Sequence, residues 1–285
     1  MVSIPDTKRI RFSLKSVIDT RSAEKLIKLL RYDPALTSRH LEVCQEIGET
    51  LDDRGRARAS AMVESDKLKI WLAEDAFSSP LLLNGRCDLE AAEGLSPLSF
   101  VDAYLVKVFE QNEQAFVVKH FCSLHQENNT PSRGPPTAKM MSNLVGELLT
   151  QMLARAVDID VSYLTKTDLQ NVERLDLDIL CNIFRELVLQ LPSKTVLLCV
   201  LDELILYETE ESRADIDAIM RRLTRLVAKE TDVVFKLLVT CRGRSLDFQK
   251  YFRDRDILDL PVDVELDDFA MWKVKNIGRS ERGDK

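Results

Sequence analysis

Thr195-Val-Leu-Leu-Cys-Val-Leu-Asp-Glu-Leu204 is the stretch on which the fold of this chain turns. Six apolar residues, Val196 to Leu201, run without a break into two carboxylates, Asp202 and Glu203. An apolar run this short, closed by charge, predicts a strand buried on both faces, as in a parallel sheet. The acidic pair then falls at the carboxyl edge of the sheet, where open α/β sheets form their binding crevices.

Working outward, the rest of the chain supplies matching parts. Pro80-Leu-Leu-Leu-Asn-Gly85 predicts a short buried strand ending in a turn. Ala115 to Cys122 is rich in β-favouring residues, Val233 to Arg242 repeats the apolar run, and Ile257 to Leu260 predicts an edge strand. Helical spacing appears between them: Leu98, Val101, Leu105 and Val108; Leu144, Val145, Leu148, Leu149 and Met152; Ile179, Leu180, Ile183, Phe184 and Leu187; Ile216, Ile219, Met220, Leu223 and Val227. Ser96-Pro97 is an N-cap followed by proline at the first turn. Residues 1–66 predict an N-terminal helical appendage, with Ser22 capping a helix through Leu30 that Asp33-Pro34 stops. The charged run Asp52 to Arg58 predicts a solvated helix face or a break. The expected architecture is α/β, a parallel sheet of about five strands sandwiched by helices over 67–262, with a polar tail at 263–285.

Composition narrows the function classes. The 285 residues carry a net charge of −7 and a pI near 5.2, against the basic surface that bulk nucleic-acid binding needs. No apolar stretch approaches the roughly 20 residues that span a bilayer. Met1 to Arg11 is charged and lacks the apolar core of a signal peptide. Six scattered cysteines without a C-x-x-C pair predict buried free thiols. The expectation is a cytoplasmic protein with no nucleic-acid and no membrane partner. His120-Phe-Cys-Ser-Leu-His125 lacks the carboxylate or second thiol that would complete a metal-ligand set. The chain has no G-x-S-x-G elbow and no H-E-x-x-H pair.

Ile70-Trp71-Leu72 with Ser78 to Gly85, Val118 to Cys122 with Arg133-Gly134-Pro135 and Met140 to Leu153, Gln190-Leu191-Pro192 with Leu197 to Glu203, and Phe235 to Arg242 follow in sequence. Together they resemble the nucleotide-binding domain of fungal STAND-type (NACHT-like, nephrocystin-like) P-loop NTPases. The resemblance implies a P-loop NTPase-like sheet. In it Asp202 aligns with the Mg²⁺-binding Asp of the Walker B strand, Glu203 with the acidic neighbour that serves as general base, and Thr240 or Arg242 with the sensor position. Gly85 and Arg86 fall where the phosphate loop begins. That loop is G-x-x-x-x-G-K-[ST], whose N–H groups, Lys and hydroxyl hold phosphate and Mg²⁺. At the offset from Gly85 this chain has Glu90-Ala91-Ala92, with neither lysine nor hydroxyl, among the acidic residues Asp88, Glu90 and Glu93.

Three functional expectations follow. The first is a catalytically degenerate STAND-like protein, needing no cofactor, that regulates or binds a protein partner, with fungal signalling as the setting the resemblance implies. The second is a protein that binds ATP or ADP with Mg²⁺, or a weak ATPase, with Arg86 on phosphate, Asp202 on the metal and Glu203 orienting water. The third is a scaffold that recruits a partner through the helices at 22–66.

Overall fold

The computed structural model describes residues 21–86, 96–125, 134–229 and 231–264. The predicted Glu90-Ala91-Ala92 loop and most of the tail lie outside the described residues, as does Cys87. The other five cysteines are buried free thiols.

All five expected strands form: β1 (Ser79–Asn84), β2 (Ala115–Phe121), β3 (Val196–Asp202), β4 (Val234–Cys241) and β5 (Ile257–Asp259). They pair in parallel in the order β2-β3-β4-β1-β5, with β3 near the middle, as its unbroken apolar run predicts. Alternation along the strands divides the side chains between two cores. Leu197, Cys199 and Leu201 of β3 face one core, and Leu198 and Val200 face the other.

On the first face lie α1 (residues 21–30), α6 (Pro136–Ala154), α8 (Leu177–Leu189) and α9 (Arg213–Val227). On the second lie α2 (Pro34–Thr50), α3 (Asp53–Glu64), α4 (Asp66–Ala73) and α5 (Pro97–Glu110). The short α7 (Lys166–Glu173) was not foreseen in the sequence; it starts at a capping box between Thr165 and Asp168. From β1 the chain crosses by α5 to β2 and returns to β4 by helices on the opposite face. The crossover direction changes at β1, which places a switch point at its carboxyl end.

The N-terminal helices are built into both cores rather than appended to them. Ala23, Leu26 and Leu30 of α1 belong to the first core; Leu41, Cys44, Ala59 and Met62 of α2 and α3 belong to the second. Ser142 of α6 donates to the Leu30 carbonyl at 2.9 Å. A Cβ on Gly146 of α6 would lie 2.3 Å from Cβ of Tyr32, so glycine there admits the α1–α2 connection. Asp33-Pro34 ends α1 and also starts α2: Asp33 caps Ala35 and Leu36 with its carboxylate, and Pro34 needs no N–H at the first helical position. Asp52 to Arg58 opens on a break, between α2 and α3, and then runs as the partly solvated start of α3. Asp52 caps α3, and Arg58 reaches the carbonyls of Gly85 and Val262.

The free edge of β2 is closed by polar side chains of α6. Gln151 accepts from Val117 N–H at 3.1 Å and donates to its carbonyl. Glu147 accepts from Lys119 N–H at 2.8 Å and pairs with Lys119 Nζ at 2.6 Å. An edge strand with its backbone satisfied in this way does not template further strands.

Candidate functional site

The carboxyl ends of β3 and β4 meet the first turns of α5 in a buried polar cluster. Asp202, the last residue of β3, is fully buried. Its Oδ2 accepts from the Ser99 hydroxyl at 2.8 Å, and its Oδ1 lies 3.0 Å from the Thr240 hydroxyl of β4. That hydroxyl is also 2.6 Å from Oδ2 of Asp102, a second fully buried carboxyl one turn along α5 from Ser99. Thr240 has one proton to give and two carboxyl oxygens within reach. One of the two contacts therefore carries a proton held on a carboxyl.

The electrostatics agree. Burial pushes the Asp102 carboxyl from 3.8 up to about 7, helped by the charge of Glu203 and opposed by hydrogen bonds to Thr240 and Asp202. Burial, then the charges of Glu203 and Asp102, hold Asp202 well above the carboxylate range against hydrogen bonds from Ser99 and Thr240. The sign of the pH effect follows. A carboxyl whose folded pKa exceeds its unfolded value binds more protons when folded, so its contribution to stability falls as pH rises between the two values. The stability of the parent protein relative to Asp102→Asn, followed by urea unfolding, is expected to fall as pH rises from about 4 to about 7 and then level off.

Glu203 leaves the sheet in the left-handed region, at φ 56° and ψ 37°, uncommon for a residue with a Cβ. It is fully buried, and Oε2 accepts from Arg242 Nε at 2.9 Å and Arg242 N–H at 3.3 Å. Oε1 of Glu203 and Oδ1 of Asp102 are buried without a hydrogen-bond partner among the described residues.

The remaining predicted residues sit to one side. Gly85 N–H donates to the Cys241 carbonyl at 2.7 Å, and Arg86 N–H to the Gly243 carbonyl at 3.1 Å. Both amides extend the β1–β4 ladder. A Cβ on Gly85 would lie 2.8 Å from the Arg242 carbonyl, so the glycine serves this close approach of backbones. The Arg86 guanidinium pairs with Asp259 of β5 at 3.1 Å. Asp202, Glu203, Thr240 and Arg242 are thus brought together, whereas Gly85 and Arg86 are held against β4 and β5. Among the described residues no group of three or more His, Cys, Asp or Glu side chains is arranged to hold a metal ion. Asp202 is fully buried with each oxygen against a protein hydroxyl, so an ion would reach it only after those side chains part.

Ser99 and Asp102 escaped the reading of the sequence. Their signal was a carboxylate inside a helix otherwise apolar on every side, since Leu98, Phe100, Val101, Ala103, Leu105 and Val106 are all buried. The start of α5 also moves the place at which the resembled motif is to be sought. The helix begins at Pro97 with Ser96 as its cap, so the residues in front of it spell Gly94-Leu95-Ser96. Counted back from the helix, the motif's second glycine and its hydroxyl are matched, while Leu89 stands for its first glycine and Leu95 for its lysine.

The chain's three histidines, His40, His120 and His125, also come together from α2, β2 and the 3₁₀ turn Cys122–His125. His125 stacks on His120 at 4.0 Å between centroids and meets the edge of His40 at 4.5 Å. Burial first, then the neighbouring cations, lower His125 to about 4. As neutral imidazoles they pack on one another, and their contribution to stability is lost as pH falls from 6.5 towards 4.

Comparison with protein-family models finds no match, and comparison with curated proteins finds none either. Fold and site define an α/β protein with a five-stranded parallel sheet and a buried acidic cluster at its carboxyl edge. Among the described residues no helix is long and apolar enough to cross a membrane.

Proposed function

We propose that this protein is a catalytically degenerate, STAND-like P-loop NTPase scaffold that works as a regulatory or protein-interaction module. One observation carries the reading. Asp202 and Glu203, which in the resembled family hold Mg²⁺ and orient water, are here engaged inside the protein. Asp202 lies between Ser99 and Thr240, and Glu203 is paired with Arg242. Phosphoryl transfer depends on electrostatic positioning of phosphate and metal. A leucine at the lysine place, amides of Gly85 and Arg86 committed to β4, and an inward-facing Asp202 all remove parts of that positioning.

The test is titration of the whole protein with Mg²⁺-ATP and Mg²⁺-ADP by calorimetry, with melting temperature as a second readout. A ligand at 100 times its dissociation constant stabilises a fold by about 2.7 kcal/mol. No heat and no rise in melting temperature are expected at millimolar nucleotide. Asp202→Asn is expected to leave the melting temperature unchanged or raise it, because an amide keeps the shape and hydrogen bonds of a carboxyl that burial and its acidic neighbours already disfavour as an anion. Micromolar nucleotide binding that disappears in Asp202→Ala would overturn the proposal in favour of a live nucleotide site.

A further inference from the structure

We infer that residues 243–252, which lead from β4 towards β5, form a strap latched over the carboxyl edge of the sheet, and that Glu208 is its catch. The latch stands on the contacts of the strap alone and holds whether or not the protein binds nucleotide. Four donors of the strap converge on this one carboxylate. Oε1 of Glu208 accepts from the Ser245 hydroxyl at 2.7 Å, from Asp247 N–H at 2.9 Å and from Phe248 N–H at 3.0 Å. Oε2 accepts from Leu246 N–H at 3.1 Å. Glu208 follows the 3₁₀ turn Leu204–Tyr207, so these bonds tie the segment after β3 to the segment after β4, across 37 to 40 residues of sequence. Hydrogen bonds to an ionised carboxylate are stronger than those to a neutral acceptor. Two further bonds carry the strap over the end of β1: Ser245 N–H donates to Asn84 Oδ1 at 3.1 Å, and the Gly243 carbonyl accepts from Arg86 N–H.

The two halves of the strap are held by different forces. Phe248 and Phe252 are buried in the first core, so apolar packing anchors the second half. In the first half the only apolar side chain of 244–247, Leu246, is 78% exposed, and Arg244 is exposed as well. Polar bonds alone therefore fix the course of 244–247, and most of them end on Glu208. Asp247 also pairs with Arg213 at 3.0 Å, but the arginine side chain is 63% exposed, and surface pairs contribute little. Glu208 itself is half-buried and within reach of solvent. A segment with few buried apolar contacts opens at a lower free energy than the whole fold. Loss of the Glu208 contacts thus frees 244–247 while Phe248 and Phe252 keep the far end docked. Arg244, Leu246 and Asp247 line, with Ile257 and Asp259 of β5, a cleft of about 490 Å³, so the position of the strap sets the width of that cleft.

The test is amide hydrogen exchange, read residue by residue on the full chain by NMR, at several urea concentrations below the unfolding transition. Exchange at Leu246, Asp247 and Phe248 speeds up merely because an acceptor is lost. The informative amide is Ser245, whose acceptor, Asn84, is untouched by changes at Glu208. In the parent protein Ser245 should exchange faster than Leu198 to Leu201 of β3 and show almost no urea dependence, because a local opening exposes little surface. Glu208→Ala should speed Ser245 exchange at least about tenfold, the scale of losing one hydrogen bond to a charged group, without adding urea dependence. Glu208→Gln, which keeps the side-chain shape and one accepting oxygen, should fall between the parent and Glu208→Ala, and decides the matter if the alanine variant does not fold. Arg213→Ala should have a much smaller effect. Ser245 exchange that rises with urea as steeply as that of β3 would mean that the strap leaves only with global unfolding. Unchanged Ser245 exchange in the Glu208 variants would mean that Glu208 is not the catch. Either result overturns the latch, as does an effect of Arg213→Ala equal to that of Glu208→Ala.

Discussion

Replacing Arg242 with Met is expected to destabilise the protein by about 3–5 kcal/mol, the scale of removing one partner of a buried ion pair. Arg242 is 7% exposed and Glu203 is fully buried, so the 2.9 Å contact between them exchanges little with water. Oε1 of Glu203 already lacks a hydrogen-bond partner among the described residues, so removing the guanidinium leaves the carboxylate with one backbone amide at 3.3 Å. The pair also holds Glu203 in its left-handed conformation, which orients the 3₁₀ turn Leu204–Tyr207. Urea unfolding of Arg242→Met, Glu203→Gln and the double variant closes a mutant cycle. The double variant should be more stable than Arg242→Met alone, because it removes the stranded charge. Additive single effects would mean that the two groups are not coupled, and the ion pair would lose its place as the device that closes the acidic edge.

Removing residues 1–64 is expected to abolish the cooperative unfolding transition. Leu26, Leu30, Leu41 and Met62 are each at most 3% exposed, and burying one such side chain is worth about 1.5–3 kcal/mol. Together they approach the 5–15 kcal/mol that separates folded from unfolded domains. The truncation would also uncover Phe100, whose ring packs against Gly48, and the face of α6 at Gly146. Circular dichroism in the near ultraviolet with a thermal melt checks this. A truncated chain that still melts cooperatively would show that 65–285 folds without the first three helices, and would revive the reading of the N-terminal helices as a detachable recruiting module.

Both predictions rest on contacts between distant parts of the chain, and that separation explains what could be foreseen. The strands were legible because each is a short apolar run closed by charge or a turn residue, and burial on both faces demands such a run. The helices were legible from their spacing and from caps such as Ser96-Pro97. Asp202 and Glu203 were legible as an acidic edge because charge ends the strand abruptly.

What those carboxylates do was not legible. Asp202 meets Ser99 across 103 residues and Thr240 across 38, and Glu203 meets Arg242 across 39. No local pattern encodes such partners, because they are set by which strand ends the sheet order brings side by side. The same holds for the histidines, which scatter over 86 positions of sequence but stack in space. Arg86 looked free to meet phosphate until β5 was seen to place Asp259 beside it.

By itself, then, the sequence determined the class of the fold, the number of strands and the acidity of their carboxyl edge, since these follow from local patterns of burial and turn chemistry. Only the tertiary structure decided that α1 to α3 belong to the cores, that the amides of Gly85 and Arg86 serve the sheet, and that the acidic residues face inward. Each of these is the outcome of long-range competition for hydrogen-bond partners and buried volume, which sequence spacing does not record.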